Sequence, residues 1–179
     1  MSRLICIEGT EYAGKTETAK LLAQKINEEG FIARYNTGVI YPSPSTQLIE
    51  ELAKKSGKRK KELLYTMAYI LDVEASKKPS NEIIIQDRYW HSVVSYGRFF
   101  NSKNSIHRKL DLIGLFLQPD TTIYLECSFE ERMNRRNKRP KKTEIDNYFM
   151  NNPDELNRLE QEVKLVLDKI PRVVTIDTT

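Results

Sequence analysis

Cysteine is scarce in this chain: Cys6 and Cys127 are the only two in 179 residues. They cannot build a disulfide framework, and they lack the spacing of metal ligands. Both lie in apolar, strand-like runs and read as small buried residues of a reduced compartment. Histidine is equally sparse, and neither His91 nor His107 has a partner at metal-ligand spacing, so both read as structural or exposed. Long hydrophobic runs are missing as well. The longest, residues 113–117, has five members, far short of the roughly 20 that cross a bilayer. Residues 1–3 lead straight into the first apolar run, which leaves no room for a secretory leader. The expectation is a cytoplasmic protein without a membrane partner. No repeat and no long linker divides the chain, so residues 1–179 read as one domain large enough for a substantial core.

Charge of one sign is not dominant either. The 29 basic and 25 acidic residues leave a formal +4. What excess exists is local: six of the eight residues 54–61 are basic, as are seven of the eleven residues 132–142. The first run reads as a solvated face that attracts nucleotide from a distance. The second lies between a strand and the last helix, and reads as a mobile lid, residues 132–147, that closes over polyphosphate. Nucleic acid is not the expected partner.

What the chain does have is the stretch LICIEGTEYAGKT at residues 4–16. An apolar strand runs into Gly9, four residues, then Gly14, Lys15 and Thr16. This is the G-x-x-x-x-G-K-[ST] spacing of a phosphate-binding loop, set between a strand and a helix. The two glycines allow backbone N–H groups to converge on phosphate oxygens, and the helix start adds its positive dipole end. Lys15 can bridge the β- and γ-phosphates, and the Thr16 hydroxyl can ligate Mg²⁺.

Hydrophobic periodicity predicts helices at 15–28, with Ala19, Leu22, Ala23 and Ile26 inward, and at about 60–76, with Leu63, Leu64, Met67 and Leu71 on one face. Between them, Ser45 or Thr46 is expected to cap a helix that carries Leu48, Ile49 and Leu52. Residues 77–81 read as a turn. Further helices are predicted at 90–100 and from Ile106 through Leu110 and Ile113 to Leu117. The last helix is expected to be capped by Asn152, with Pro153 at its first position. Strands are predicted at 31–35, 82–86, 121–127 and 173–176. Near-continuous apolar strands alternating with helices predict an α/β fold, a five-stranded parallel sheet covered on both faces. Ligands of such sheets gather at the carboxyl ends of the strands. That rim carries the phosphate loop and Asp87-Arg88, a carboxylate suited to Mg²⁺ beside a guanidinium suited to phosphate.

Glu8-Gly9, the run Asp87-Arg88-Tyr89 with Ser92 and Tyr96 (DRYWHSVVSY), and Pro119-Asp120 before TTIYLE resemble the thymidylate kinases. Residues 41–46 resemble that family's F-P-x-R-x-T element, and Leu63-Leu64-Tyr65 its L-L-F helix. The likeness spans about residues 4–175. It implies a three-layer phosphate-loop kinase fold that moves the γ-phosphoryl of ATP, with Mg²⁺, onto dTMP or a related nucleoside monophosphate. Carried onto this chain, Gly9, Thr10, Glu11, Tyr12, Ala13, Gly14, Lys15, Thr16 and Glu17 hold ATP together with Arg132. Thr16 and Asp87 serve the metal. Lys15, Arg88, Arg135, Arg136 and Arg139 are the catalytic cations, with the lid arginines required because the loop carries Tyr12 where some members have arginine. Glu11, Arg34, Tyr41, Tyr65, Tyr69, Arg88 and Tyr96 form the acceptor site. A homodimer is implied by the likeness alone. Three departures remove hydrogen-bond donors: Pro44 at the acceptor-phosphate arginine, Tyr69 at the thymine-reading arginine, and Gly97 at a frequent glutamine. Two rival readings share the loop. A deoxynucleoside kinase would need an acid where Tyr35-Asn36 ends the second strand. A non-catalytic nucleotide-binding module would have a degenerate acceptor site.

Overall fold

The computed structural model describes residues 3–75 and 81–179. Five strands, β1 (Arg3–Glu8), β2 (Ala33–Thr37), β3 (Ile83–Asp87), β4 (Thr121–Glu126) and β5 (Val173–Asp177), form one sheet in the order β2-β3-β1-β4-β5. Every pairing is parallel. Eight α-helices are described: α1 (Lys15–Glu28), α2 (Pro44–Lys54), α3 (Lys58–Ala75), α4 (Trp90–Asn101), α5 (Ile106–Lys109), α6 (Phe129–Lys138), α7 (Glu144–Asn151) and α8 (Pro153–Leu167).

The alternation of side chains along each strand sorts the core into two layers. Ile7, Ile85 and Leu125 pack with Ala19 and Ala23 of α1 on one face. Leu4, Cys6 and Ile84 face the other way, onto Ala68 and Tyr69 of α3, Trp90 and Val94 of α4, and Val166 of α8. A third cluster, built on Tyr124, Phe149, Leu156 and Leu159, joins β4 to α7 and α8. Asp120 ties the central strands at their start, since its carboxylate accepts from the Leu4 N–H at 2.8 Å.

Several sequence expectations are revised. Strand β2 starts two residues later than expected, leaving Phe31 and Ile32 exposed before it. Helix α2 is capped by Ser43, and Thr46 reciprocates as the third helical residue, because Pro44 is preorganised for the first helical position. The stripe Leu63, Met67 and Leu71 points outward, and α3 buries Glu62, Thr66, Ala68, Tyr69 and Asp72 instead. The helix expected from 106 to 117 is a single turn, α5, which stops where Leu110 becomes extended. Asn152 precedes α8, yet its side-chain amide donates to the Tyr148 carbonyl and caps nothing in α8. The predicted turn lies, apart from Asn81, outside the described residues, as does the predicted end of the third helix at Ser76. Among the described residues no helix is long and apolar enough to cross a membrane.

Candidate active site

The loop from Gly9 to Gly14 connects β1 to α1 at the carboxyl rim of the sheet. Gly9 has φ 152°, and a Cβ there would lie 2.8 Å from the Leu125 carbonyl oxygen, so the loop passes against β4 only without a side chain. Gly14 caps α1 at φ 91°. Tyr12 holds φ 59° although it is not glycine, and its ring joins Phe149 and Met150 in the third cluster. Lys15 is folded back on its own loop, donating from Nζ to the Thr10 carbonyl at 2.5 Å. Burial first, and then the charge of Arg88, push its pKa down to about 7. Its position at the start of α1 suits it to meet anionic oxygens. Glu17 stands exposed in the first turn of α1.

Thr16 donates from Oγ1 to Asp87 Oδ2 at 2.6 Å, and Tyr35 donates to the same carboxylate oxygen at 3.2 Å. A hydroxyl and a buried carboxylate side by side form a hard oxygen donor set, the chemistry Mg²⁺ takes beside phosphates.

Arg88, immediately after β3, adopts φ 60°, a conformation that costs an L-residue about 1 kcal/mol or more and is kept only where surroundings impose it. Its Nη1 donates to Tyr96 Oη at 2.9 Å, and its Nη2 lies 3.3 Å from Glu11 Oε1. Tyr96 also donates to Glu11 Oε1. The other Glu11 oxygen, Oε2, is buried with no partner among the described residues. Burial would lower the Arg88 pKa, but Tyr96 and Glu11 more than offset it, so the guanidinium stays charged. Beyond Arg88 opens a cavity of about 740 Å³ between α3, α4 and α7. Arg88, Ser92 and Tyr96 line its inner end; Tyr65, Phe100 and Tyr148 are among its walls.

The basic segment after β4 divides into two groups. Arg132 is 1% exposed and fully engaged in the protein. It donates to the Cys127 carbonyl at 2.8 Å, the Thr10 hydroxyl at 2.8 Å, the Glu11 carbonyl, and Glu160 at 2.6 Å. Arg135 bonds the Tyr12 carbonyl at 3.1 Å and the backbone and hydroxyl of Thr178. These two arginines therefore brace the loop from behind. Arg136 contacts Asn147 at 3.0 Å, with its buried Nε unpartnered among the described residues. Arg139 lies over the Tyr12 ring, 5.7 Å from its centre. The segment expected to be a lid is thus the end of α6, an exposed link at 139–143, and the start of α7, which Thr143 and Asp146 cap reciprocally.

Three expected acceptor residues stand apart from this cavity. Arg34 is drawn along the sheet edge to Glu82, Asn36 and the Ile40 carbonyl. Tyr69 is buried against Tyr89, with ring centres 4.8 Å apart, and Tyr41 packs on the same cluster. Sequence reading missed the carboxylates that position the site. Asp72 accepts from the N–H groups of Ile40 and Tyr41 at 2.6 and 2.7 Å, fixing the loop after β2. Glu8 accepts from Tyr89 N at 3.0 Å and Ser92 Oγ at 2.8 Å, fixing the start of α4. Burial works to raise the Glu8 pKa, yet His91, 3.5 Å away, with Arg88 and the Tyr89 N–H, holds it below the usual range. Glu62 was missed too: it is 4% exposed, and its partners Asn101, Ser105 and Ile106 lie about 40 residues away in sequence.

The family model described as thymidylate kinase matches residues 7–179 of the chain. A probable thymidylate kinase of Sulfurisphaera tokodaii is 29% identical over 140 residues, 75% of this chain and 69% of that one. One of Thermococcus kodakarensis is 29% identical over 159 residues, 81% of this chain and 76% of that one. Among solved structures, the thymidylate kinase of Candida albicans superposes with a TM-score of 0.66 at 21% identity, covering 98% of this chain and 83% of that one. The enzyme of Ehrlichia chaffeensis gives 0.66 at 18% identity, covering 99% and 88%. At those identities the structures establish the fold.

Proposed function

The chain belongs to the thymidylate kinase family, whose members are ATP-dependent phosphotransferases, and we propose that it moves the γ-phosphoryl of ATP onto the phosphate of dTMP or a related nucleoside monophosphate. One observation carries this reading. The amide cradle with Lys15 and the Thr16–Asp87 pair share a rim with a charged Arg88, and a nucleotide-sized cavity opens beyond that guanidinium.

On this reading the loop amides and Lys15 hold the donor's terminal phosphates, with Lys15 exchanging the Thr10 carbonyl for phosphate oxygens. Thr16 and Asp87 hold Mg²⁺, which when bound neutralises phosphate charge. Arg88 exchanges Glu11 and Tyr96 for the acceptor phosphate, and Glu11 then faces the sugar with its unpartnered oxygen. An oxygen of the acceptor phosphate attacks the γ-phosphorus in line, and the bond to the ADP oxygen breaks. That nucleophile is already deprotonated at neutral pH, so no general base is required, in keeping with the absence of an acid at the end of β2. Arg136 and Arg139 are the cations left to meet the charge on the equatorial oxygens. Arg132 and Arg135, tied to the loop backbone, serve as positioning residues. Closure of the 139–143 link would exclude water as a competing acceptor.

A second copy of the chain is part of the same proposal. Leu63, Met67 and Leu71 on α3 are 47%, 45% and 38% exposed, beside Leu48 and Leu52 of α2. Exposed apolar side chains on two neighbouring helices are what a homodimer would cover.

The test is ADP release from ATP and Mg²⁺ against dTMP, dUMP, dCMP, UMP, AMP, GMP and the free nucleosides. Turnover confined to monophosphates supports the proposal. Turnover of nucleosides makes the protein a nucleoside kinase, and no turnover despite ATP binding makes it a binding module.

A further inference from the structure

Glu62, on the inner face of α3, is 4% exposed, yet it lines the cavity by the C-terminal end of α4, whereas Arg88 stands before the first residue of that helix and touches Glu11 of the loop. Its carboxylate lies flat against α4. A Cβ on Gly97 would come within 2.6 Å of the Glu62 carboxyl carbon, so the glycine and the carboxylate occupy one space between them. Asn101 donates to Oε2 at 2.5 Å, while the Ser105 hydroxyl and the Ile106 N–H donate to Oε1 at 2.5 and 3.1 Å. Three donors fix the direction of the carboxylate, and most of its accepting capacity is committed at Oε1. Oε2 keeps a lone pair to offer. Lys58 and Lys61 line the same end, with Lys58 Nζ 4.1 Å from the centre of the Phe100 ring. Opposite Arg88, therefore, the cavity presents one oriented acceptor and two ammonium donors.

We propose that Glu62 reads the base of the acceptor nucleotide and shifts the acceptor preference towards bases with an exocyclic amino group at that place, cytosine first. The inference rests on the kinase reading, in which Arg88 takes the acceptor phosphate and the base lies at the far end. A fixed carboxylate accepts from an amino group and repels a carbonyl oxygen at the same place. Uracil and thymine carry a carbonyl at position 4, where cytosine carries the amino group. The lysines supply donors for the ring carbonyl that all three share. A site built to bond a substrate N–H discriminates strongly against the analogue that lacks it.

The measurement is kcat/KM for dCMP and dUMP, which differ only at position 4, at saturating ATP and Mg²⁺, with dTMP alongside. The wild-type chain is expected to favour dCMP over dUMP by about tenfold or more. Glu62→Gln, which keeps the shape and an acceptor oxygen, should bring the ratio to within about threefold of unity while leaving the KM for ATP unchanged. Such a shift in base selectivity is not produced by a merely structural role. If dUMP is used as well as dCMP by the wild type, or if the ratio survives in Glu62→Gln, the assignment of Glu62 is wrong and the kinase reading stands. Should that variant fail to fold, the wild-type pair decides alone. Turnover of no monophosphate at all overturns both.

Discussion

Under the proposed function, Lys15 couples nucleotide binding to protonation. Its pKa of about 7 in the free protein compares with about 10.4 in an unfolded chain. Between those values the unfolded state holds the extra proton. The contribution of this group therefore makes the free protein more stable as pH rises from about 7 towards 10, and unfolding titrations at pH 7 and 9 should show that gain diminished in Lys15→Met. Phosphates restore the charge, so ATP binding at pH 8 is expected to take up about one proton, and at pH 6 almost none. Calorimetry in buffers of different ionisation enthalpy reads this directly; a buffer-independent heat at pH 8 would contradict it. Lys15→Ala should abolish turnover. Arg88→Ala should raise the acceptor KM on the order of 10- to 100-fold, the worth of a charge-assisted contact, and affect ATP much less. Equal losses for both substrates would assign that guanidinium a different role.

At the level of elements, the loop's shape depends on helices far along the chain. Arg132 of α6 joins the loop at Thr10 and Glu11 to Glu160 of α8. Cutting it takes the donor from the Cys127 and Glu11 carbonyls and leaves the Glu160 carboxylate with the Thr10 hydroxyl but without its cation. Because Glu160 is partly exposed, Arg132→Ala is expected to cost about 2–3 kcal/mol and to lower Tm by roughly 5–10 °C. ATP affinity should fall with it, since the cradle loses its brace. Thermal unfolding and equilibrium binding check the two effects separately, and a stable variant with intact ATP binding would show that Arg132 does not brace the loop. Helix α3 has a similar double character. Its polar residues Glu62, Thr66 and Asp72 face the protein, while Leu63, Met67 and Leu71 face out. The periodicity of α3 was legible, but not which stripe was inside.

For the whole molecule, the exposed stripe on α2 and α3 makes assembly testable. Met67→Glu sits in its middle, at a residue that does not line the cavity. Sedimentation of the unmodified chain should give a dimer, and that of Met67→Glu a monomer with its fold retained by circular dichroism. A monomeric parent chain would remove the dimer from the proposal. The legible part of the fold was the part set locally. Helix α1 matched at 15–28, and five apolar runs became five parallel strands. By contrast, residues 106–117 had helical spacing, yet only one α-helical turn formed at α5, and Leu112, Ile113, Phe116 and Leu117 reach the core from beyond it.

The sequence by itself determined the glycine loop between β1 and α1 and the placement of Asp87 and Arg88, because glycine spacing and the end of an apolar strand are local constraints. It also determined the parallel sheet that sets them on one rim. The tertiary structure alone decided which arginines bond the loop backbone, and that Glu62 rather than Tyr69 lines the cavity. The physical reason is that a buried charge is kept only by its partners. Those of Arg132 and Glu62 lie on other elements, beyond the reach of any local pattern.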